Sequence, residues 1–289
     1  ARPPLRAIAA ITLSAALVSP SPAAAAEPSL ELTYWPETDL PLTVVGGAAW
    51  VATELAKKGL APASCRWCAV GRLDASVRDA VVWRGNPDTA HDLSNVTVLG
   101  VAPASALGLT ALAAWHDGRS ENIAADLLIV TEATVVAMDL NQLTKYVVGR
   151  QRPYAHFGND DVLCSHGGCS PPVPHDADLS FFSGHTTAAF SLAAASGAVA
   201  SMRGYRAAPW VWAQGMAIAA LSGYLRMAGD RHYLTDVLTG AAVGSAAGVL
   251  IPYLFHGPRP GVAGPDTPSF RLSIAPAHGG AGVGVAGHF

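Results

Sequence analysis

Long segments dominated by alanine, glycine and aliphatic residues recur along the chain, and they set the fold that it can adopt. They are too long for strands, so we predict a helix for each. The six predicted helices are Leu42–Lys58, Val96–Trp115, Ile123–Val148, Thr186–Met202, Trp210–Leu225 and Leu234–Phe255. The sequence therefore predicts an all-α fold, a bundle of about five to six apolar helices.

The composition is apolar, with 51% hydrophobic and 13% charged residues, and this is enough to fill a sizeable core. Val96–Trp115 is uncharged and Leu234–Phe255 carries only Asp236, so both could cross a bilayer. Ile123–Val148 carries three acidic residues, which are costly in lipid unless they face other helices. The formal net charge of −3 and the lack of a long basic run argue against a nucleic-acid partner. We expect association with a membrane.

The first 26 residues are typical of a secretory signal peptide. Arg2 and Arg6 precede the apolar run Ala7–Val18, and small residues follow up to Ala26. The alternative is an uncleaved membrane anchor. If the segment is a signal peptide, we expect the mature chain to start near Glu27 and to work outside the cytoplasm.

The rest of the chain is predicted to have three parts. Residues 27–92 hold the first helix and a CxxC sequence, and residues 93–256 form the helical core. Residues 257–289 form a tail rich in proline and glycine, whose alternating pattern predicts a short β-hairpin. The segment Arg150–Phe182 has no helical periodicity, and loops of such length are often functional.

Four cysteines form two close pairs, Cys65 with Cys68 and Cys164 with Cys169. In an exported chain such pairs usually form local disulfides, which fix the local shape. A zinc site made by all four cysteines is the alternative.

Two motifs could bind one anion. Lys145 lies near the end of a predicted helix, so its ammonium and the guanidinium of Arg152 can converge beyond that end, where Pro153 would help to stop the helix. Ser183 and Gly184 precede another helix, whose free N–H groups would bind an anion.

A third motif adds a cation and a histidine–carboxylate pair. Arg226 is followed by His232 and then by Asp236, four residues further on. If both lie on one helix, they share a face, and the carboxylate can hold the imidazole N–H. Together with His185, which follows Gly184, the three motifs describe a site for phosphoryl transfer.

The ordered set Lys-x6-Arg-Pro, Ser-Gly-His and Arg-x5-His-x3-Asp resembles the type 2 phosphatidic acid phosphatase superfamily, which includes lipid phosphatases, bacterial class A acid phosphatases and vanadium haloperoxidases. The resemblance implies that the active site lies at one end of the bundle and needs no metal or cofactor. It implies that His232 is the nucleophile that forms a phosphohistidine, that Asp236 orients it, and that His185 is the general acid and base. The residues implied to bind phosphate are Lys145, Arg152, Ser183, Gly184 and Arg226.

This chain departs from the family pattern at two positions. Phe182 stands where the family usually has proline, and Leu225 stands where it has serine. Neither replaced residue carries chemistry in the family mechanism, so the departures concern the geometry of the loops.

We therefore expect a metal-independent phosphatase of the cell envelope with its active site facing the periplasm. Its apolar composition favours a phosphorylated lipid, such as phosphatidate, an isoprenyl pyrophosphate or a lipid A phosphate. A soluble periplasmic acid phosphatase that acts on small phosphate esters is the first alternative. A haloperoxidase is less favoured because those chains are generally longer. From another class, the alternative is a catalytically silent membrane or phosphate-binding protein.

Overall fold

The structure is a computed structural model, and it describes residues 31–158 and 176–258 together with the backbone of two strands near the C-terminus. The predicted signal segment and the pair Cys164 and Cys169 lie outside the described residues.

The prediction of an all-α bundle is confirmed. The helices are α1 Pro36–Leu55, α2 Lys57–Leu60, α3 Arg72–Val81, α4 Pro87–Val96, α5 Ala102–His116, α6 Ile123–Val148, α7 Pro153–His156, α8 Gly184–Met202, α9 Ala208–Ala228 and α10 Leu234–Phe255. A π-helical turn, Thr97–Val101, joins α4 to α5, and a 3-10 turn, Ser120–Asn122, precedes α6. In the tail, β1 Ser269–Ala277 and β2 Gly280–His288 pair antiparallel.

One predicted boundary falls inside a helix. The predicted boundary lies between residues 92 and 93, but α4 crosses that point and continues through the π-helical turn into α5. Helix α4 therefore belongs with the helical core. Its sequence, "PDTAHDLSNV", does not predict an apolar helix because polar residues outnumber apolar ones.

Helix α8 is the centre of the bundle, and α10 lies directly against it. Almost every residue of α8 is buried. A Cβ atom placed on Gly240 would lie 2.7 Å from the carbonyl oxygen of Ser183, and one on Gly248 would lie 2.6 Å from that of Ser191. Only glycine permits so close an approach of the two backbones. This contact brings the start of α10 next to the start of α8.

The outer surface of the bundle is unusually apolar. Two helical segments, Pro87–His116 and Leu234–Phe255, are long and apolar enough to cross a membrane. Exposed large apolar side chains cover several helices and include Leu42, Val45, Leu99, Trp115, Trp210 and Phe255. Large exposed apolar surfaces usually mark contact with a membrane or with another protein.

A buried charge cluster joins α6 to α8 at the end of the bundle where α6 begins. Arg203 Nε donates to Asp126 Oδ1 at 2.8 Å, and the Tyr205 hydroxyl donates to Asp126 Oδ2 at 2.6 Å. Asp126, the first acidic residue of the predicted third helix, thus faces the protein interior.

Candidate active site

The residues of the three motifs gather at one end of the bundle, where α6 and α9 end and α8 and α10 begin. A series of short contacts connects the eight residues that the sequence analysis selected: Lys145, Arg152, Ser183, Gly184, His185, Arg226, His232 and Asp236. Sites built at the ends of packed helices hold their side chains rigidly.

Helix α6 ends at Gly149 and not through Pro153, which corrects the sequence prediction. Gly149 adopts the left-handed conformation with φ 58°, which glycine accepts without strain, and its N–H bonds to the carbonyl of Lys145. Pro153 instead occupies the first position of α7. The turn at Gly149 directs the chain back across the end of the bundle.

Lys145 reaches the start of α8. A Cβ atom on Gly184 would lie 3.1 Å from Lys145 Nζ and 2.9 Å from Asn141 Oδ1. The absence of a side chain at Gly184 is therefore what lets this cation approach the N-terminus of α8. The ammonium group of Lys145 and the N-terminus of α8 together favour the binding of an anion at this point.

Arg152 is the central cation of the site, and it is almost fully buried. Its guanidinium donates to the backbone carbonyl of Asp176 at 2.8 Å, to Asp176 Oδ1 at 2.9 Å and to the carbonyl of Arg231 at 3.0 Å. Burial alone would raise the pKa of Asp176, but the charges of Arg152 and Lys57 hold the pKa of this carboxyl below its usual range. Asp176 was not found from the sequence because it belongs to no motif.

His232 lies in the loop before α10, so the prediction that it shares a helix face with Asp236 is wrong. Its Nδ1 is 3.6 Å from Asp236 Oδ2, too far for a hydrogen bond. Its Nε2 is 3.2 Å from Arg152 Nη1. Because a guanidinium can only donate, Nε2 is the nitrogen with the lone pair and Nδ1 carries the hydrogen that faces Asp236.

Burial, together with the positive charges of Arg152 and Arg226, holds the pKa of His232 well below its usual range. The imidazole is therefore neutral, which is the form that can act as a nucleophile.

The carboxylate of Asp236 is fully buried and accepts three hydrogen bonds. Arg150 Nη1 donates to Oδ1 at 2.6 Å. The Ser180 hydroxyl and the backbone N–H of Tyr233 donate to Oδ2 at 2.6 and 2.9 Å. These bonds fix the carboxylate beside His232 and keep it from rotating.

Arg150 was not selected from the sequence, although it stands inside the first motif. Its guanidinium lies between the rings of Trp67 and Tyr233, 4.0 and 4.4 Å from their centroids, and it also donates to Asp74 Oδ2 at 2.7 Å. Trp67 lies in the loop that a disulfide between Cys65 and Cys68 closes. The structure thus joins these two cysteines in a disulfide, and in this form the two sulfurs cannot act as thiolate ligands of zinc.

Ser183 caps the N-terminus of α8. Its Oγ accepts a hydrogen bond from the Thr186 hydroxyl at 2.8 Å, and its backbone N–H bonds to the carbonyl of Asp236 at 3.1 Å. The Ser183 hydroxyl hydrogen is left to donate to an anion. The start of α8 therefore offers a hydroxyl and backbone N–H groups at one point.

Helix α4 supplies a polar group of residues that the sequence analysis did not select. Asn95 Oδ1 lies 2.7 Å from His185 Nε2, and Asn95 Nδ2 lies 3.4 Å from His91 Nε2. Arg226 Nη1 bonds to His91 Nδ1 at 2.8 Å and to the Ser94 hydroxyl at 3.0 Å. The signal in the sequence was the spacing of three and four residues between these polar positions, which places them on one helix face.

Arg226 is buried and retains an unused donor, because its Nε makes no hydrogen bond within the described part of the chain. A buried donor without a partner is costly unless a ligand occupies it. Arg226, Lys145 and Arg152 together give the site three cations beside its two histidines. This arrangement suits a phosphate group.

Comparison with known proteins found one family and one similar solved structure. Residues 126–260, just under half of the chain, match the family model described as the PAP2 superfamily. No curated protein matches the chain. One similar solved structure is described as the first transmembrane PAP2 type phosphatidylglycerolphosphate phosphatase from Bacillus subtilis. It is 17% identical, with a TM-score of 0.42, and the alignment covers 76% of this chain and 94% of that one.

The matched segment contains all three motifs. This part of the chain matches the PAP2 superfamily, as the motifs predicted, and the match supports the assignment of the protein as a phosphatase.

Proposed function

We propose that the protein is a metal-independent phosphatase that hydrolyses a phosphorylated lipid through a phosphohistidine on His232. The observation that carries this proposal is the position of the His232 ring between Arg152 and Asp236. Its lone pair at Nε2 points to the cation that would hold a phosphate, and its N–H faces a fixed carboxylate.

The first step forms a bond between His232 Nε2 and phosphorus and breaks the bond from phosphorus to the leaving oxygen. His185, which must carry a second proton at Nδ1 once the phosphate dianion is bound, gives that proton to the leaving oxygen while Asn95 holds Nε2. Asp236 stabilises the charge that develops on the His232 ring, and Arg150 prevents the carboxylate from turning away. Lys145, Arg152 and Arg226 neutralise the phosphate oxygens as charge accumulates.

In the second step a water molecule attacks the phosphohistidine and His185 takes its proton. Phosphate leaves and His232 returns as a neutral imidazole. Asn95 contacts His185 only through Nε2, and Nδ1 makes no hydrogen bond to the described part of the chain. One ring nitrogen thus fixes the orientation, while the other is available to substrate and water.

A lipid substrate is supported by the exposed apolar side chains of α4. Leu93 and Val96 stand close to Asn95 in the sequence and have 44% and 61% of their surfaces exposed. An acyl or isoprenyl chain could lie along this apolar surface while its phosphate reaches His185 and His232. A soluble phosphate ester would gain nothing from it.

The proposal places the bundle in a membrane with the active site outside the cytoplasm. The two long apolar helical segments support membrane insertion. The disulfide between Cys65 and Cys68 packs next to the active site, and such bonds persist in oxidising compartments.

A phosphate-release panel tests the proposal. Purified protein is given phosphatidate, an isoprenyl pyrophosphate, a lipid A phosphate and p-nitrophenyl phosphate, each with and without EDTA. We expect the highest kcat/KM on a lipid and no effect of EDTA on the rate. Equal rates on all substrates would favour the nonspecific acid phosphatase, and no release from any of them would favour a silent binding protein.

The variant Leu93→Asn separates the lipid and soluble substrates. We expect it to raise KM for the lipid several-fold and to leave p-nitrophenyl phosphate unaffected. The variant Leu112→Asn is the matched control, because Leu112 is also exposed but lies near the opposite end of α5. An equal change for both substrates would argue against a lipid path along α4.

A further inference from the structure

A second polar cluster lies far from the phosphate site and consists of Asp39 in α1, Glu132 in α6 and His256 just after α10. His232 lies just before the first turn of α10, and His256 lies just after the last turn of the same helix. A helix of 22 residues is about 33 Å long. The two histidines therefore stand at opposite ends of the bundle, and the cluster takes no part in the phosphate site.

The cluster is shielded from solvent. The side chain of His256 is 2% exposed, and those of Asp39 and Glu132 are 12% and 14% exposed. One ligand atom from each residue lies within 4.8 Å of the others. Two carboxylates facing one imidazole in such a place call for a positive charge, from a bound cation or from a protonated His256.

The hydrogen bonds around the cluster leave its inner atoms unused. His256 Nδ1 donates to the carbonyl of Thr33 at 3.0 Å, which directs Nε2 into the cluster. His256 Nε2 and Glu132 Oε2 lie 3.4 Å apart, yet both are buried atoms without a hydrogen-bond partner among the described residues. Asp39 Oδ2 accepts a hydrogen bond from the backbone N–H of Trp35 at 2.8 Å and lies 3.9 Å from His256 Nδ1.

This pattern is that of metal ligands with their supporting groups. A histidine that binds a metal usually donates its other N–H to a carbonyl or carboxylate, and metal-binding carboxylates are themselves hydrogen-bonded. Ligand bonds of about 2.0–2.2 Å in a tetrahedral zinc site separate neighbouring ligand atoms by about 3.3–3.6 Å. The spacing between His256 Nε2 and Glu132 Oε2 already has that value.

We propose that Asp39, Glu132 and His256 bind a divalent cation of the Zn²⁺ type. The ion would take the free Nε2 and one oxygen from each carboxylate, with water in the fourth position. It would join α1 to α6 and to the end of α10 and so hold the bundle closed at the end opposite the phosphate site. Its role is structural, so it does not conflict with metal-independent catalysis.

The test uses the full chain without an affinity tag, stripped with EDTA, desalted and then titrated with Zn²⁺ alone. We expect one tightly bound zinc per chain by elemental analysis. At a hundredfold excess over Kd, we expect the midpoint of thermal unfolding to rise by about 5 to 10 °C. The variants His256→Ala and Glu132→Gln should lose this rise, whereas His116→Ala, a change at an exposed histidine, should keep it.

X-ray absorption spectroscopy of the zinc-loaded wild-type protein is a second test, and it needs no variant. We expect nitrogen and oxygen neighbours at about 2.0 Å and no sulfur at about 2.3 Å. A wild-type protein that gains no stability from Zn²⁺ would overturn the proposal. So would a sulfur shell, or zinc binding unchanged in both His256→Ala and Glu132→Gln. If the wild-type protein gains no stability from Zn²⁺, His256 is instead a protonated partner in an ion pair.

Discussion

The change Arg150→Met tests how the buried cation supports the active site. In the structure the guanidinium pairs with Asp236 at 2.6 Å and with Asp74 at 2.7 Å, and it lies between the rings of Trp67 and Tyr233. Methionine retains most of the volume but removes the charge. Both carboxylates would then be buried without a cation.

Removing one partner of a buried ion pair destabilises a protein by about 3–5 kcal/mol. For a chain of this size, that loss lowers the midpoint of thermal unfolding by about 6 to 20 °C. Activity should fall as well, because Asp236 would lose the bond that fixes Oδ1 beside His232. Replacing Asp74 by asparagine in the same chain should restore part of the stability, since one unpaired carboxylate is then gone.

The assay is thermal unfolding of the purified variants followed by intrinsic fluorescence, with hydrolysis of p-nitrophenyl phosphate measured on the same samples. Arg206→Met is the matched control, because that side chain is 72% exposed and should leave the midpoint nearly unchanged. If Arg150→Met lowered the midpoint by less than about 2 °C, or no more than the control, the reasoning from buried charge would be refuted.

Three further results are expected. Asn95→Ala should lower kcat for a poor leaving group by about 10 to 100-fold with little change in KM, because it frees the ring of His185; Asn95→Asp should keep much of the rate, and a change in KM alone would place Asn95 in substrate binding. Since burial and nearby cations lower the pKa of His232, its neutral form persists on acidification, and kcat/KM for p-nitrophenyl phosphate, whose leaving group needs no proton, should hold from pH 7 to about pH 5.5 where an ordinary histidine would lose activity; an acid limb near the ordinary value, after correction for ionisation of the substrate, would contradict this. Vanadate should inhibit at about micromolar concentration because it resembles the pentacoordinate transition state, and EDTA should not inhibit at the assay temperature; inhibition by EDTA at a temperature where the EDTA-treated protein is still folded would show that a metal takes part in catalysis.

The bundle was predictable where the sequence carries strong local signals. The bounds predicted for α6 and α10 agree with the structure because both segments are long, apolar and flanked by turn residues. Helix α4 has no such signal, since it is short and polar. Its helical form depends on contacts with α9 that the sequence does not reveal.

The site was predictable as far as its motifs extend. The motifs selected both histidines and Asp236, and the structure brings them to one end of the bundle. Arg150 and Asn95 were missed because their importance comes from partners distant in the sequence, Asp236 and His185 respectively. The pairing of His232 with Asp236 was placed on one helix because spacing alone cannot show that α10 begins only at Leu234.

The central claim is that His232 carries the phosphoryl group and that His185 serves both steps. The most direct measurement is rapid-quench analysis of His185→Ala and His232→Ala with p-nitrophenyl phosphate. Since p-nitrophenolate leaves without a proton, His185→Ala should still be phosphorylated and then stall for want of a general base. We expect a burst of about one product per enzyme and an acid-labile, base-stable phosphohistidine, with neither from His232→Ala. Steady multiple turnover by His185→Ala, or trapped phosphate that survives the loss of His232, would contradict the account.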